Sequence, residues 1–267
     1  MKLLIRTEFK RTFRSFLLWA VIIIGLSILM LSLYPAFEDS FGDIADYLDM
    51  FPPAFLEVFG LGEGGLDMAN PYGWYGTEGY LFVVLIGGSY AGILGASILS
   101  KEEDDKTIEF LLSKPISRNQ ILLGKAVVVL INLLLLNGCL FIVLSATFSF
   151  ITEYEFVTVL MLCLGPLFLQ AIFASIAMAI SIFVTKSRMV ISCSLGLVIG
   201  LYFLEVIATL TDQLDFLKYL SPYEYVNAVS LVNDHTIEPF YLLIGMGMIF
   251  VSGFITWYFY NRKDITV

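Results

Sequence analysis

The sequence predicts an all-α, polytopic membrane protein with six transmembrane helices and both termini cytoplasmic. Three observations predict it. Of 267 residues, 58% are hydrophobic and only 15% charged, against roughly 45–50% and 25% in soluble domains. Mean hydropathy is +0.86, and the apolar residues gather into runs of the roughly 20 residues that a helix needs to cross about 30 Å of hydrocarbon. The basic residues, finally, are one-sided with respect to those runs.

Six runs qualify, near residues 16–37, 80–100, 126–150, 156–185, 189–210 and 240–260. The first follows a stretch, 1–15, in which Leu3, Leu4, Phe9 and Phe13 alternate with Lys2, Arg6, Lys10, Arg11 and Arg14. That pattern predicts an interfacial amphipathic helix. The run behind it is too long for a signal peptide and lacks a small-residue cleavage site. The fourth run contains Gly165-Pro166, which removes a backbone donor and predicts a kink or break.

Orientation follows from retention of positive charge on the cytoplasmic side. Five basic residues precede the first span. Lys101, Lys106, Lys114, Arg118 and Lys125 separate the second from the third, Lys186 and Arg188 the fourth from the fifth, and Arg262 and Lys263 follow the sixth. Only Lys218 is placed outside. The net charge of −9 therefore reports an acidic outer face and implies no nucleic-acid partner.

The outer segments are 38–79 and 211–239. In the first, Pro52-Pro53, Gly60 to Gly65 and Pro71-Tyr72-Gly73-Trp74-Tyr75 predict short helices broken by turns, with aromatics suited to an interfacial belt. In the second, two short amphipathic helices are predicted, the later one capped by Ser221 with Pro222 in its first turn. An ordinary amphipathic loop fits that segment equally well.

The inner segment 101–125 carries an acidic run, a short apolar patch at Ile108, Phe110, Leu111 and Leu112, a Ser-Lys-Pro turn and a new helix start at Ser117. Apolar groups between charged flanks on a loop suggest a docking surface, with a solvated connector as the alternative. Chemistry-bearing constellations are missing from the chain. There is no phosphate-binding Gly-x-x-x-x-Gly-Lys-Ser/Thr loop, no serine–histidine–acid set and one histidine, His235, without a Cys/His cluster. Cys139, Cys163 and Cys193 lie within apolar runs and read as small hydrophobes. An enzyme acting alone is not predicted, and no metal site is expected.

Small residues at four-residue spacing let helices approach closely in lipid. Gly88 and Gly92, Gly87, Ala91 and Gly95, and Gly196 and Gly200 place such faces on the second and fifth spans, for packing within the chain or against a second copy. Asn132, Asn137, Gln170 and Glu205 are polar groups within spans, where polarity is costly and marks candidate function. Glu205 sits toward the outer end, facing either a pathway or the interface. Walls this apolar suit hydrophobic or amphipathic cargo.

The run Thr107-x-Glu109-Phe110-Leu111-Leu112-Ser113-x-Pro115-x-Ser117-Arg118 with Gly124-Lys125 resembles the inner loop of ABC-2 type transporter permeases, the membrane subunits of ABC exporters. The likeness extends over the chain, through Pro52-Pro53, Phe59-Gly60, Lys186-Ser187-Arg188, Ser221-Pro222 and Asn261-Arg262-Lys263. One departure is Lys106, where the family carries glycine. The resemblance implies a dimer of permeases, the second copy identical, in a bacterial cell membrane, docked on two copies of a soluble ABC ATPase that holds the ATP and Mg. The chain itself then needs no cofactor. It assigns the coupling contact to Glu102, Glu103, Asp104, Asp105, Thr107, Glu109, Phe110, Leu111, Leu112, Pro115 and Arg118. For pathway and dimer interface it suggests Gly88, Gly92, Gly95, Gly196, Gly200 and Glu205. The rival readings are a non-transporting sensor or immunity subunit on the same fold, and a gradient-driven secondary transporter, for which no inverted repeat is visible.

Overall fold

The computed structural model describes residues 2–38, 41, 48, 50–104, 117–184 and 186–263. Its elements are α1 (Lys2–Phe37), α2 (Pro53–Val58), α3 (Pro71–Trp74), a π turn (Tyr75–Gly79), α4 (Tyr80–Asp104), α5 (Arg118–Ile151), α6 (Phe156–Phe183), α7 (Ser187–Thr209), 3₁₀ segments at Asp212–Leu220 and Glu224–Val226, a π turn at Ser230–Asp234, and α8 (Pro239–Arg262). Among the described residues, six helices are long and apolar enough to cross a membrane: α1, the continuous run Pro71–Glu102, α5, α6, α7 and α8. Their loops alternate between a basic end and an acidic end of the bundle.

Two boundaries differ from the sequence expectation. Residues 2–15 continue into the first span, because α1 runs unbroken for 36 residues, about 54 Å at 1.5 Å per residue. Nothing in that stretch can stop a helix before Pro35, which falls in the last turn. Nor does Gly165-Pro166 break α6, which continues through Pro166. The helix is surrounded there, Gly165 lying against Leu231 and the Tyr80 hydroxyl, so packing outweighs the lost donor.

At the centre α4 lies along α6, and α1, α5, α7 and α8 pack around this pair. Glycine makes the approach possible. A methyl group on Gly95 would fall on the Ala174 carbonyl, and one on Gly88 would come within 3.1 Å of the Phe173 ring. The outer surfaces of α7 and α8 stay apolar and exposed, as at Phe203, Ile207, Leu243 and Phe250, the faces that lipid or another helix covers.

The acidic end is closed by the first outer segment. Asn70 caps α3 by accepting the Tyr72 amide at 2.9 Å. The aromatics that follow are not an interfacial belt, since Tyr72, Trp74 and Tyr75 are buried. Trp74 donates its indole N–H to the Met30 carbonyl (2.9 Å), Tyr75 its hydroxyl to Ser27 Oγ (3.0 Å), and the Tyr72 ring stacks on Phe148 at 4.3 Å. Short as it is, this segment ties α1 to α5.

Gly95→Ala tests the central contact. The obstacle is backbone, which cannot rotate away, and overpacking of this kind costs about 1–3 kcal/mol. A drop in melting temperature in detergent is expected for Gly95→Ala and none for Gly196→Ala, where nothing lies within 4 Å.

Candidate functional site

At the basic end, charge is buried between helices. The Lys125 side chain has no exposed surface, although it belongs to the second turn of a membrane-crossing helix. Its Nζ lies 2.6 Å from Glu102 Oε2 and donates to the Ile98 carbonyl. Glu102 is 6% exposed, has Arg11 Nη1 at 4.0 Å, and lies within hydrogen-bond reach of the buried Glu8 carboxyl. Glu102 ends the second span and Lys125 begins the third, so one buried ion pair joins the two ends of the inner segment and also holds α1.

A second clamp stands beside it. Ser117 and Gln120 form a capping box at the start of α5, satisfying its first amides. Arg118, the next residue, donates through Nη1 to the carbonyls of Tyr260, Asn261 and Lys263, the closest at 2.8 Å. A cation on the last carbonyls of a helix satisfies acceptors that have no partner inside it. The start of α5 is thereby fixed to the end of α8.

These contacts change the reading of two predicted coupling residues. Glu102, expected on a partner-facing surface, is buried and spent on Lys125, and Arg118 is spent on the end of α8. Asp104 is exposed at the end of α4, and Glu103 occupies the turn before it. Asp105, Thr107, Glu109, Phe110, Leu111, Leu112 and Pro115 lie outside the described residues. Glu8 and Lys125 went unrecognised as a pair with Glu102. The signal was a lone acid and a lone lysine at the inner edges of two apolar runs, where neither is stable without a partner.

In mid-membrane, the small face of the second span is taken up inside the chain: Gly88 against Phe173, Gly92 against Val198 and Gly95 against Ala174. Packing within the chain, not a dimer contact, accounts for these three. Gly196 and Gly200 on α7 have nothing within 4 Å of a built side chain and remain on an open face. Asn132 is satisfied by Tyr90 (3.3 Å), Thr12 (3.2 Å) and its own helix. Asn137 donates to Gln170 Oε1 at 2.7 Å, and Gly87 makes room for the Gln170 amide.

Glu205 is placed on the opposite side of α7 from Gly196, nine residues or half a turn away at 100° per residue. It does not share their face. It points with Val198 and Leu201 toward the outer segment, where Ser221 Oγ donates to it (3.3 Å) and to the Leu201 carbonyl (3.0 Å). Ser221 also accepts the Tyr223 amide at 3.4 Å, and a 3₁₀ turn at Glu224–Val226 and the π turn at Ser230–Asp234 follow it. Around Glu205 opens a cleft of about 860 Å³, lined by Tyr80, Tyr202, Tyr223, Glu57, Glu224 and Lys218 among others.

Lys218, the single basic residue of the acidic end, belongs to this cleft. It pairs with Asp215 at 2.9 Å and reaches Glu57 at 3.9 Å. Burial works against its charge, but the hydrogen bond it donates to Asp215 and the nearby carboxylates outweigh that, and its pKa lies above the ordinary value. Burial also raises Glu224, with Lys218 and a hydrogen bond to Asn227 pulling the other way. Tyr225, pushed by burial up to about 12, stays protonated and donates to the Tyr219 carbonyl at 2.6 Å.

Among the described residues no three His, Cys, Asp or Glu side chains gather to hold a metal ion. Six membrane-crossing helices, a clamped segment between the second and third, and a polar cleft at the opposite end define a polytopic membrane subunit. The model of the ABC-2 family transporter protein family matches residues 3–265. The chain belongs to that family, a membrane component of an ABC transporter. A search of curated proteins returns no match.

Two outcomes are expected. Lys125→Met, which takes the nearest cation from Glu102, destabilises the protein by about 3–5 kcal/mol, the cost of breaking a buried pair. Adding Glu102→Leu recovers part of the loss, as a double-mutant cycle of thermal unfolding in detergent shows. At the acidic end, a carboxyl whose folded pKa is raised keeps its proton in the native state. Stability therefore falls as pH rises from 4.5 through the raised value. Glu224→Gln flattens that part of the profile.

Proposed function

We propose that this chain is the permease subunit of an ATP-driven ABC exporter, working as a dimer with a separate ATPase. One observation supports this above the others: both ends of the inner segment are clamped to the bundle, one by Glu102–Lys125 and the other by Arg118. A segment so held transmits force, whereas a loosely tethered one absorbs it. A subunit without a nucleotide site must receive its energy through contacts that differ between two states, because a partner with equal affinity for both shifts nothing.

The basic end is the cytoplasmic one on this reading, since lysine and arginine are retained inside. The coupling surface is then the apolar patch at Phe110, Leu111 and Leu112 with the exposed Asp104 beside it, and Glu102 supports it from within. The open face with Gly196 and Gly200 is where a second copy packs, small residues allowing close approach. The cargo is hydrophobic or amphipathic. Apolar walls carry its body, and the cleft around Glu205 and Lys218 at the outer end meets its polar part.

Purification of the tagged chain from its native membrane in mild detergent tests the coupling. A soluble P-loop ATPase is expected at near-equal amounts, and Phe110→Glu is expected to release it while thermal unfolding stays unchanged. Retention of the ATPase by Phe110→Glu moves the contact elsewhere. Absence of any ATPase, where other membrane complexes survive, overturns the reading.

A further inference from the structure

The N-terminal part of α1 and the end of α4 do not close against each other completely. Between them lies a cleft of about 600 Å³. Glu8, Arg11 and Ser15 line it from α1, and Leu94, Ser97 and Lys101 from α4. Each set follows the i, i+3, i+7 spacing of a single helix face, so the cleft is a groove between two facing stripes. It sits at the basic end, at the depth where apolar helix gives way to charged residues.

Its charge is positive. Glu8 and Glu102 face Arg11 and Lys125 in the buried cluster, and Lys101 adds a cation that has no ion pair among the described residues. Two carboxyls that share a hydrogen bond do not both carry a full charge, so cations exceed anions in this group. Exposed Lys10 and Arg14 on α1 raise the potential further, and the exposed Asp104, one turn beyond Lys101 on the same stripe of α4, opposes it in part. Arg11 brings a guanidinium with five donors, and Ser15 and Ser97 bring hydroxyls. Glu8 is the one acid on the lining, and it is turned into the cluster, against Glu102.

The ends of the groove differ. Toward mid-membrane the same stripe of α1 continues through Leu18 and Ile22, both exposed apolar side chains. A ligand that fits carries a single negative charge with several acceptor oxygens at one end and hydrocarbon at the other. Basic pockets between transmembrane helices take such headgroups. We propose that the α1–α4 groove is a binding site for the phosphate headgroup of an anionic membrane lipid, held by Arg11 and Lys101 with its acyl chain along Leu18 and Ile22. The phosphodiester charge offsets the cationic excess of the cluster. The lipid thereby braces α1 beside the Glu102–Lys125 pair at the base of the inner segment.

Titration of the purified full chain with dioleoyl phosphatidylglycerol and dioleoyl phosphatidylcholine, read by native mass spectrometry, tests this without any ATPase, so its failure leaves the permease reading standing. The expected result is tighter binding of phosphatidylglycerol by roughly tenfold, lost in Lys101→Gln and in Arg11→Gln but kept in Lys2→Gln, an exposed cation off the groove. Arg11 also serves the buried cluster, so Lys101→Gln, whose side chain is exposed, is the deciding variant. Equal weakening by Lys2→Gln and Lys101→Gln means diffuse surface attraction and overturns the site, as does equal binding of the two lipids. Displacement of phosphatidylglycerol by millimolar inorganic phosphate makes a free phosphate the ligand and overturns the lipid assignment.

Discussion

A buried lysine in a low-dielectric medium has to be neutralised where it stands, and Lys125 imposes that condition on the basic end. Removing an ammonium from water costs several kcal/mol even after relaxation. Only a close carboxylate with further hydrogen bonds offsets it. Glu102 supplies the carboxylate and Ile98 the carbonyl. Because the two charges belong to consecutive spans, satisfying them brings together the ends of the segment that connects those spans. Glu8 and Arg11 extend the condition to α1, so three membrane helices meet at one electrostatic knot.

The acidic end is held by different means. There neutral donors and aromatic rings join the outer segments to the helices: Trp74 donates to Met30, Tyr75 to Ser27, and Tyr80 of α4 to the Val226 carbonyl at 2.9 Å. Hydroxyls and indoles satisfy backbone carbonyls without bringing a charge to be neutralised. Some of the charged groups of that end meet at a cleft, where Lys218 stands beside Glu57 and Glu224 and pairs with Asp215. Its position answers why one lysine departs from the otherwise one-sided distribution: it is the counter-ion of a carboxylate-lined cleft. A bundle tied by charge at one end and by neutral hydrogen bonds at the other has a stiff base beside its inner segment and an ionisable opening opposite.

What was legible in the sequence depended on range. Span number follows from hydrophobic runs, a local property, and six runs became six helices. Asn70 before Pro71 and Ser117 before Arg118 are likewise local cap signals. Where a local rule competed with packing, packing prevailed. Pro166 does not break a helix enclosed by Tyr80 and Leu231, and residues 2–15 continue into the first span where nothing interrupts the helix. The aromatics after Pro71 read as interfacial because composition cannot distinguish an aromatic that meets headgroups from one that meets Phe148.

By itself the sequence determined the membrane class, the six crossings and the end at which basic residues collect, because each depends on the length and composition of a continuous stretch. Which residues share a face of one helix was also within reach: periodicity alone places Glu205 opposite Gly196. Only the tertiary structure decided what each face meets. Gly88 and Gly95 serve α6, Gly196 and Gly200 stay open, Glu205 turns to Ser221, and Glu102 is spent on Lys125. Those pairings join residues from 16 to 85 positions apart, and no local pattern selects one such partner over another. The physical reason is that a buried polar or close-packed group is stabilised only by what lies beside it in space.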